Sequence, residues 1–306
     1  MTASNGTSFE ALGTLWRIGT GTGHEPHLGA PLDDDTLTAV LARVERFDLD
    51  WSRFRDDGLV ARVARAPGIH RLPVDAPALL ALYRELHAAT RGRLSPLVGR
   101  SLEQLGYDAE YRLRPAGDPL PAPRWDDAIA LRETPEGLEL ETAKSVVLDV
   151  GAAGKGYLVD LVGDLLADRG LTDSVIDAGG DARVRGDRSM RVALEHPADP
   201  TKAVGVVELR DAAIAASAPN RRAWGDGLHH LVDAITGRPV AEQAVATWVI
   251  APTTLIADGL ATAMFLADPI ELGAHFEVEW AMMSRDGRWR SSAQWPGELF
   301  TEGDRT

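Results

Sequence analysis

An α+β fold, with mixed or antiparallel sheets and helices packed against them, is predicted for this 306-residue chain by three features. Helical patterns occupy 32–47 and 75–90, where apolar residues recur every three or four positions. Short apolar runs occupy much of the second half, at 174–178, 190–194, 205–209, 244–251 and 278–282. Between them lies Leu148–Leu166, which reads as a buried strand end, a glycine turn, one lysine and an amphipathic helix. No internal repeat of about 20–50 residues is visible.

Residues 1–8 are small and polar and are expected to be disordered. Phe9–Ile18 is predicted as a strand, and 19–31 as a glycine- and proline-rich loop. The GTGTG run in that loop lacks the apolar helix that a dinucleotide fingerprint requires, so it reads as a hairpin or loop. The helix over 32–47 opens on Asp33, Asp34 and Asp35, where negative charge suits the dipole. Asp48, Asp50 and Ser52 imitate the first ligands of a calcium loop. Arg53 and Leu59 then stand where glycine and glutamate are needed, which excludes an EF-hand. Trp51 and Phe54 are expected to pack, or one of them to touch a flat ligand. A second helix over 75–90 ends near Gly92, and 112–124 is a proline-rich surface excursion. Trp125–Leu131 reads as a helix or short crossover, Leu138–Glu141 and Val146–Val150 as strands, and Thr254–Ala267 as a helix.

Composition narrows the function. A net charge of −14 argues against nucleic acid or an anionic membrane as the main partner. Cysteine is absent, which excludes disulfides, thiolate metal sites and a cysteine nucleophile. No apolar run is long enough to span a membrane, and the first 30 residues hold no secretory pattern, so a cytoplasmic location is expected. There is no GxSxG and no HExxH, so serine-hydrolase and zinc-protease chemistry fit poorly.

Three constellations could carry chemistry. Gly151, Gly154 and Gly156 flank Lys155 ahead of a helix, which suits either an anion or a tight structural turn; it is not a Walker A loop. Asp258 and Thr262 lie one helical turn apart. They could offer two hard oxygens to Mg²⁺, or be a helix-start aspartate and a threonine bonded to its i−4 carbonyl. His229-His230 with Asp233 offers a general base, or is plain loop.

In order along the chain these segments resemble the ApbE family of FAD:protein FMN transferases. The family's Met-Gly-Thr strand is matched by Leu12-Gly13-Thr14. Its aspartate and Ala-Lys-Gly-Tyr turn is matched by LDVGAAGKGYLVD, through Asp149, Lys155, Gly156, Tyr157 and Asp160. Gly179-Gly180-Asp181, AIAASA with Ser217, HLVDAITG with His230 and Asp233, and ADGLATA with Asp258 and Thr262 follow. The chain departs from the family pattern at Leu12, Gly58, Ser95, Gly154, Ala216, Ala218 and Ala234.

The resemblance implies an ApbE-like, T-fold-related domain over 9–306, made of two intimately packed lobes with a flavin site between them. FAD is then the substrate, touching Leu12, Gly13, Phe54, Gly151, Gly154, Lys155, Asp160, Gly179, Gly180, Asp181, Ser217 and His230. Mg²⁺ is held by Asp258, Thr262 and a carbonyl at Gly154. His230 and Asp258 are the catalytic pair. A threonine or serine hydroxyl of an acceptor protein displaces AMP, leaving FMN in a phosphodiester. Hydrolysis of FAD to FMN and AMP, or flavin binding without turnover, are the alternatives.

Overall fold

The computed structural model describes residues 6–21, 28–241 and 244–300. Its centre is an eight-stranded sheet in which every neighbouring pair is antiparallel. Across the sheet the order is Thr7–Ala11, Thr14–Thr20, Ser174–Asp177, Asp181–Arg185, Ala213–Ser217, Ala244–Ala251, Glu279–Ser284 and Trp289–Ser291.

Alternation along these strands sends successive side chains to opposite faces. Ile176, Ala213, Ala215 and Val249 join one large apolar cluster with the helices Asp34–Trp51, Ala76–Ala89, Gly154–Asp168 and Thr254–Ala263. Their neighbours Val175, Ile214 and Trp248 join a second cluster beneath the long hairpin Ser189–His196 and Asp199–Arg210. The sheet is therefore the middle of three layers, covered by helices on one side and by a small sheet on the other.

Several elements differ from expectation. Ordered backbone begins before residue 9: the strand Thr7–Ala11 is paired along its length, and the Thr7 hydroxyl accepts from Leu32 N at 2.8 Å. Residues 1–5 of the expected disordered segment, and 22–27 of the expected loop, lie outside the described residues. Phe9–Ile18 is not one strand. It turns at Leu12-Gly13, whose φ values of 50° and 72° make a tight two-residue hairpin loop. Residues 146–150, buried except for the half-buried Asp149, join no sheet among the described residues; Asp149 N donates instead to Pro96 O. A helix at Pro269–Phe276, capped by Asp268, was not anticipated, although Asp-Pro at a helix start is a recognisable signal.

Candidate active site

The central helix Gly154–Asp168 begins on Ala153, which has no side chain to cap it. Its cap comes from another helix: Gly156 N donates to Asp258 Oδ2 at 2.9 Å. The debt is returned in kind. Asp160, one turn into the central helix, accepts from Thr254 N at 3.0 Å and Leu255 N at 2.8 Å, the first amides of the helix that carries Asp258. Each helix start is thus satisfied by the other helix's carboxylate. Such lacing needs the backbones close together, and Gly156 supplies the clearance. A Cβ there would lie 2.3 Å from Thr254 O and 2.6 Å from Asp258 Cβ.

This changes the expected character of the turn. Gly151 N already donates to Asp149 Oδ1, Gly154 N to Val150 O and Gly156 N to Asp258. Lys155 Nζ stands 2.5 Å from Asp181 Oδ2, and Asp181 is wholly buried. The amides and the lysine that the sequence offered to an anion are largely engaged by the protein's own carboxylates. Burial raises the pKa of both Asp181 and Asp258, with their mutual repulsion adding to Asp258 and Lys155 opposing the rise in each. The site is short of positive charge. Asp258 Oδ1 has no hydrogen bond among the described residues, and Thr262, half-buried one turn further on, makes no bond back to the Asp258 carbonyl. The capping role falls to Thr253, which accepts from Ile256 N. The threonine half of the structural alternative is thus not realised, while Asp258 does serve structurally as the cap of the central helix. Two free hard oxygens beside a charge deficit fit Mg²⁺, which needs few protein ligands when phosphates and waters complete its shell. No group of three or more His, Asp or Glu able to hold a metal occurs among the described residues.

In front of this pair opens a cleft of about 730 Å³, within the range of small-molecule sites. Gly151, Gly154 and Lys155 line it, with Thr262 and His230. So do Leu12, Gly13 and Phe54. The His230 ring sits with Nδ1 3.4 Å from Arg222 O, a partner for an Nδ1 proton that leaves Nε2 free to accept. Burial, with the Arg222 charge adding to it, pushes its pKa down to about 4, so the imidazole is neutral at physiological pH.

The opposite end of the cleft is aromatic. Phe54 stacks on Tyr111 at 5.2 Å, and Tyr107 stacks on Trp224 at 5.4 Å. Arg53 lies over Phe54 at 4.2 Å and over Tyr107 at 4.7 Å. Its Nε donates to Asp149 at 2.6 Å, while its two terminal nitrogens are buried without hydrogen-bond partners among the described residues. Of this group the sequence singled out only Phe54. Arg53 comes from one turn, Tyr107 and Tyr111 from one loop and Trp224 from the short strand Ala223–Trp224, and no spacing in the chain relates these three segments.

Five of the expected flavin contacts lie outside the lining of the cleft. Asp160 spends both carboxylate oxygens on helix amides and does not line the cleft. Gly179, Gly180 and Ser217 line a second cavity on the hairpin side of the sheet. Asp181 is buried between the two and reaches the cleft only through Lys155.

Two departures from the family pattern have local reasons. Ala234 N donates to Arg93 O at 2.9 Å, a bond that proline could not make. Gly58 packs where a Cβ would meet Leu49 O at 2.3 Å.

The three-layer architecture is that of the flavin-transferase fold. It superposes on the flavin transferase ApbE of Vibrio cholerae with a TM-score of 0.76 at 22% identity, covering 94% of this chain and 95% of that one. The ApbE protein of Thermotoga maritima gives a TM-score of 0.77 at 21% identity, covering 94% and 96%. The chain belongs to the ApbE family, whose profile matches residues 12–280. Among curated relatives, the FAD:protein FMN transferase of Vibrio cholerae is 29% identical over 254 residues, 76% of this chain and 74% of that protein. That of Escherichia coli K12 is 24% identical over 283 residues, 85% and 77% of the two chains.

Proposed function

We propose that this chain transfers FMN from FAD to a threonine or serine hydroxyl of an acceptor protein, releasing AMP. The activity is the one named for the relatives above. The observation that carries it here is convergence: Lys155, Thr262 and His230, from three distant segments, line one cleft, and Asp258 is bonded to the turn that borders it.

In this reading residues 9–306 act as one unit of two lobes meeting at the cleft. The aromatic wall receives the isoalloxazine ring, and the free guanidinium nitrogens of Arg53 meet oxygens of the ligand. Asp258, Thr262 and the Gly154 carbonyl would hold Mg²⁺, which when bound offsets charge on the pyrophosphate oxygens. His230 Nε2 takes the proton of the acceptor hydroxyl as that oxygen bonds to the FMN phosphorus. The phosphorus–oxygen bond to AMP breaks, and its electron pair leaves with AMP. Lys155, held by Asp181, fixes the turn beside the pyrophosphate more than it supplies charge.

Mass spectrometry after mixing the protein with FAD, Mg²⁺ and an acceptor tests this. A covalent FMN adduct with one AMP released per transfer is expected. Free FMN and AMP would replace the reading with hydrolysis, and FAD recovered intact would reduce it to binding.

A further inference from the structure

One aromatic residue of the cleft stands apart from its aromatic wall. Tyr83, in the helix Ala76–Ala89, lines the cleft and is 1% exposed. Its helix is pressed against the end of the cleft that holds Asp258. A Cβ at Gly259 would lie 2.8 Å from Leu86 Cδ1, 3.0 Å from Leu82 Cδ2 and 3.5 Å from Ala153 Cβ. Gly259 follows Asp258, and Ala153 precedes the central helix. Leu82 and Leu86 therefore seat their helix against both, and Tyr83 adjoins Leu82 and lies about one turn before Leu86.

The Tyr83 hydroxyl is buried without a hydrogen-bond partner among the described residues. Burial, with the negative charges of Asp149 and Asp258 adding to it, raises the phenol's pKa well above its ordinary value, so the hydroxyl keeps its proton. The amides of Ala152 and Ala153 act on the phenol oxygen against that rise, though neither meets the geometry of a full hydrogen bond. An amide can only donate, so the O–H proton itself has no acceptor in either case. A buried polar group without a partner costs stability, and folded proteins keep few of them. Phenylalanine would fill nearly the same space without that cost. The other donors at this end are already engaged: Gly151 N by Asp149, Gly156 N by Asp258 and Lys155 Nζ by Asp181. A neutral donor suits the place, because a second cation there would pair with the carboxylates as Lys155 does.

We propose that the Tyr83 hydroxyl donates to a pyrophosphate oxygen of the substrate, and so is a further substrate-binding residue of the cleft. The proposal rests on the function proposed above for the identity of the ligand. It deepens that reading by assigning the pyrophosphate a contact that none of the family motifs contains.

The Tyr83→Phe variant removes the hydroxyl alone. Two ligands divide FAD between them: ADP carries the pyrophosphate without the flavin ring, and riboflavin carries the ring without phosphate. Both are titrated calorimetrically into parent and variant in the presence of Mg²⁺. The Kd of ADP should rise by about tenfold or more in the variant, while that of riboflavin stays within about twofold. The ligand-free variant should melt at the same temperature as the parent or higher, since an unpaired buried hydroxyl has been removed. An unchanged ADP affinity overturns the proposal, and so does a failure of ADP to bind the parent. An equal loss for ADP and riboflavin also overturns it, because the hydroxyl would then be acting on the packing of the whole cleft. ADP binding is read without any transfer, so the absence of an FMN adduct on every acceptor would sink the transfer reading and leave this contact standing.

Discussion

The two ends of the cleft are built differently. At one end, Lys155, Asp258 and Thr262 stand on two helices whose starts are capped by each other's aspartates. At the other, Phe54, Tyr107, Tyr111 and Trp224 stand on turns and short segments, with Tyr111 half-exposed and at φ 52°. Under the proposed function, reaction chemistry, which tolerates little displacement, would be seated on regular elements, and ring binding, which tolerates more, on loops. The contrast predicts that changes at the first end cost rate or stability, and that changes at the second cost affinity.

The largest effect is expected from Asp258→Asn. An amide oxygen can still accept from Gly156 N, so the fold should keep its melting temperature. Turnover should fall by roughly a thousandfold with the loss of a metal-binding carboxylate. Unaltered turnover at ordinary Mg²⁺ concentration would remove the metal from this end of the cleft.

His230→Gln should lower transfer by about a hundredfold or more while flavin fluorescence still reports ring binding. Its pKa also predicts a pH dependence. The folded-state value of about 4 lies below the unfolded value of 6.5, so the unfolded chain gains the proton first as pH falls. This contribution to stability is complete above pH 6.5 and is lost as pH drops toward about 4. Denaturation midpoints of the parent and of His230→Gln should therefore converge on acidification through that window.

Gly156→Ala forces a methyl group into Thr254 O and Asp258 Cβ. A loss of about 1–3 kcal/mol is expected in urea denaturation, since the helices must separate. The smallest effect belongs to the aromatic end. Tyr111→Ala should weaken FAD binding by about 0.5–1.5 kcal/mol with the turnover number nearly unchanged. A fall in turnover without a change in affinity would reverse the comparison.

Legibility in the sequence followed the same division. Lys155, Asp258 and Thr262 sit in short motifs whose spacing is set by helix geometry, and their order along the chain identified the family. The reciprocal caps were hidden, because Asp160 and Asp258 find their partners about a hundred residues away and local spacing says nothing of such pairs. The resemblance makes Asp160 a ligand contact, whereas its oxygens accept from Thr254 N and Leu255 N. The aromatic wall was hidden for another reason: Tyr107 and Trp224 meet through a fold that brings distant turns together. Glycines at 179 and 180 were read correctly as a turn, but a turn does not announce which side of a sheet it faces.

The crossed caps also set how this part of the molecule loosens. Opening the start of either helix releases an amide donor and a carboxylate acceptor on the other, so the two ends fray together rather than one at a time. The amides of Gly156, Thr254 and Leu255, distant in sequence, should therefore share one opening rate, and loss of their protection on heating should coincide with loss of the site.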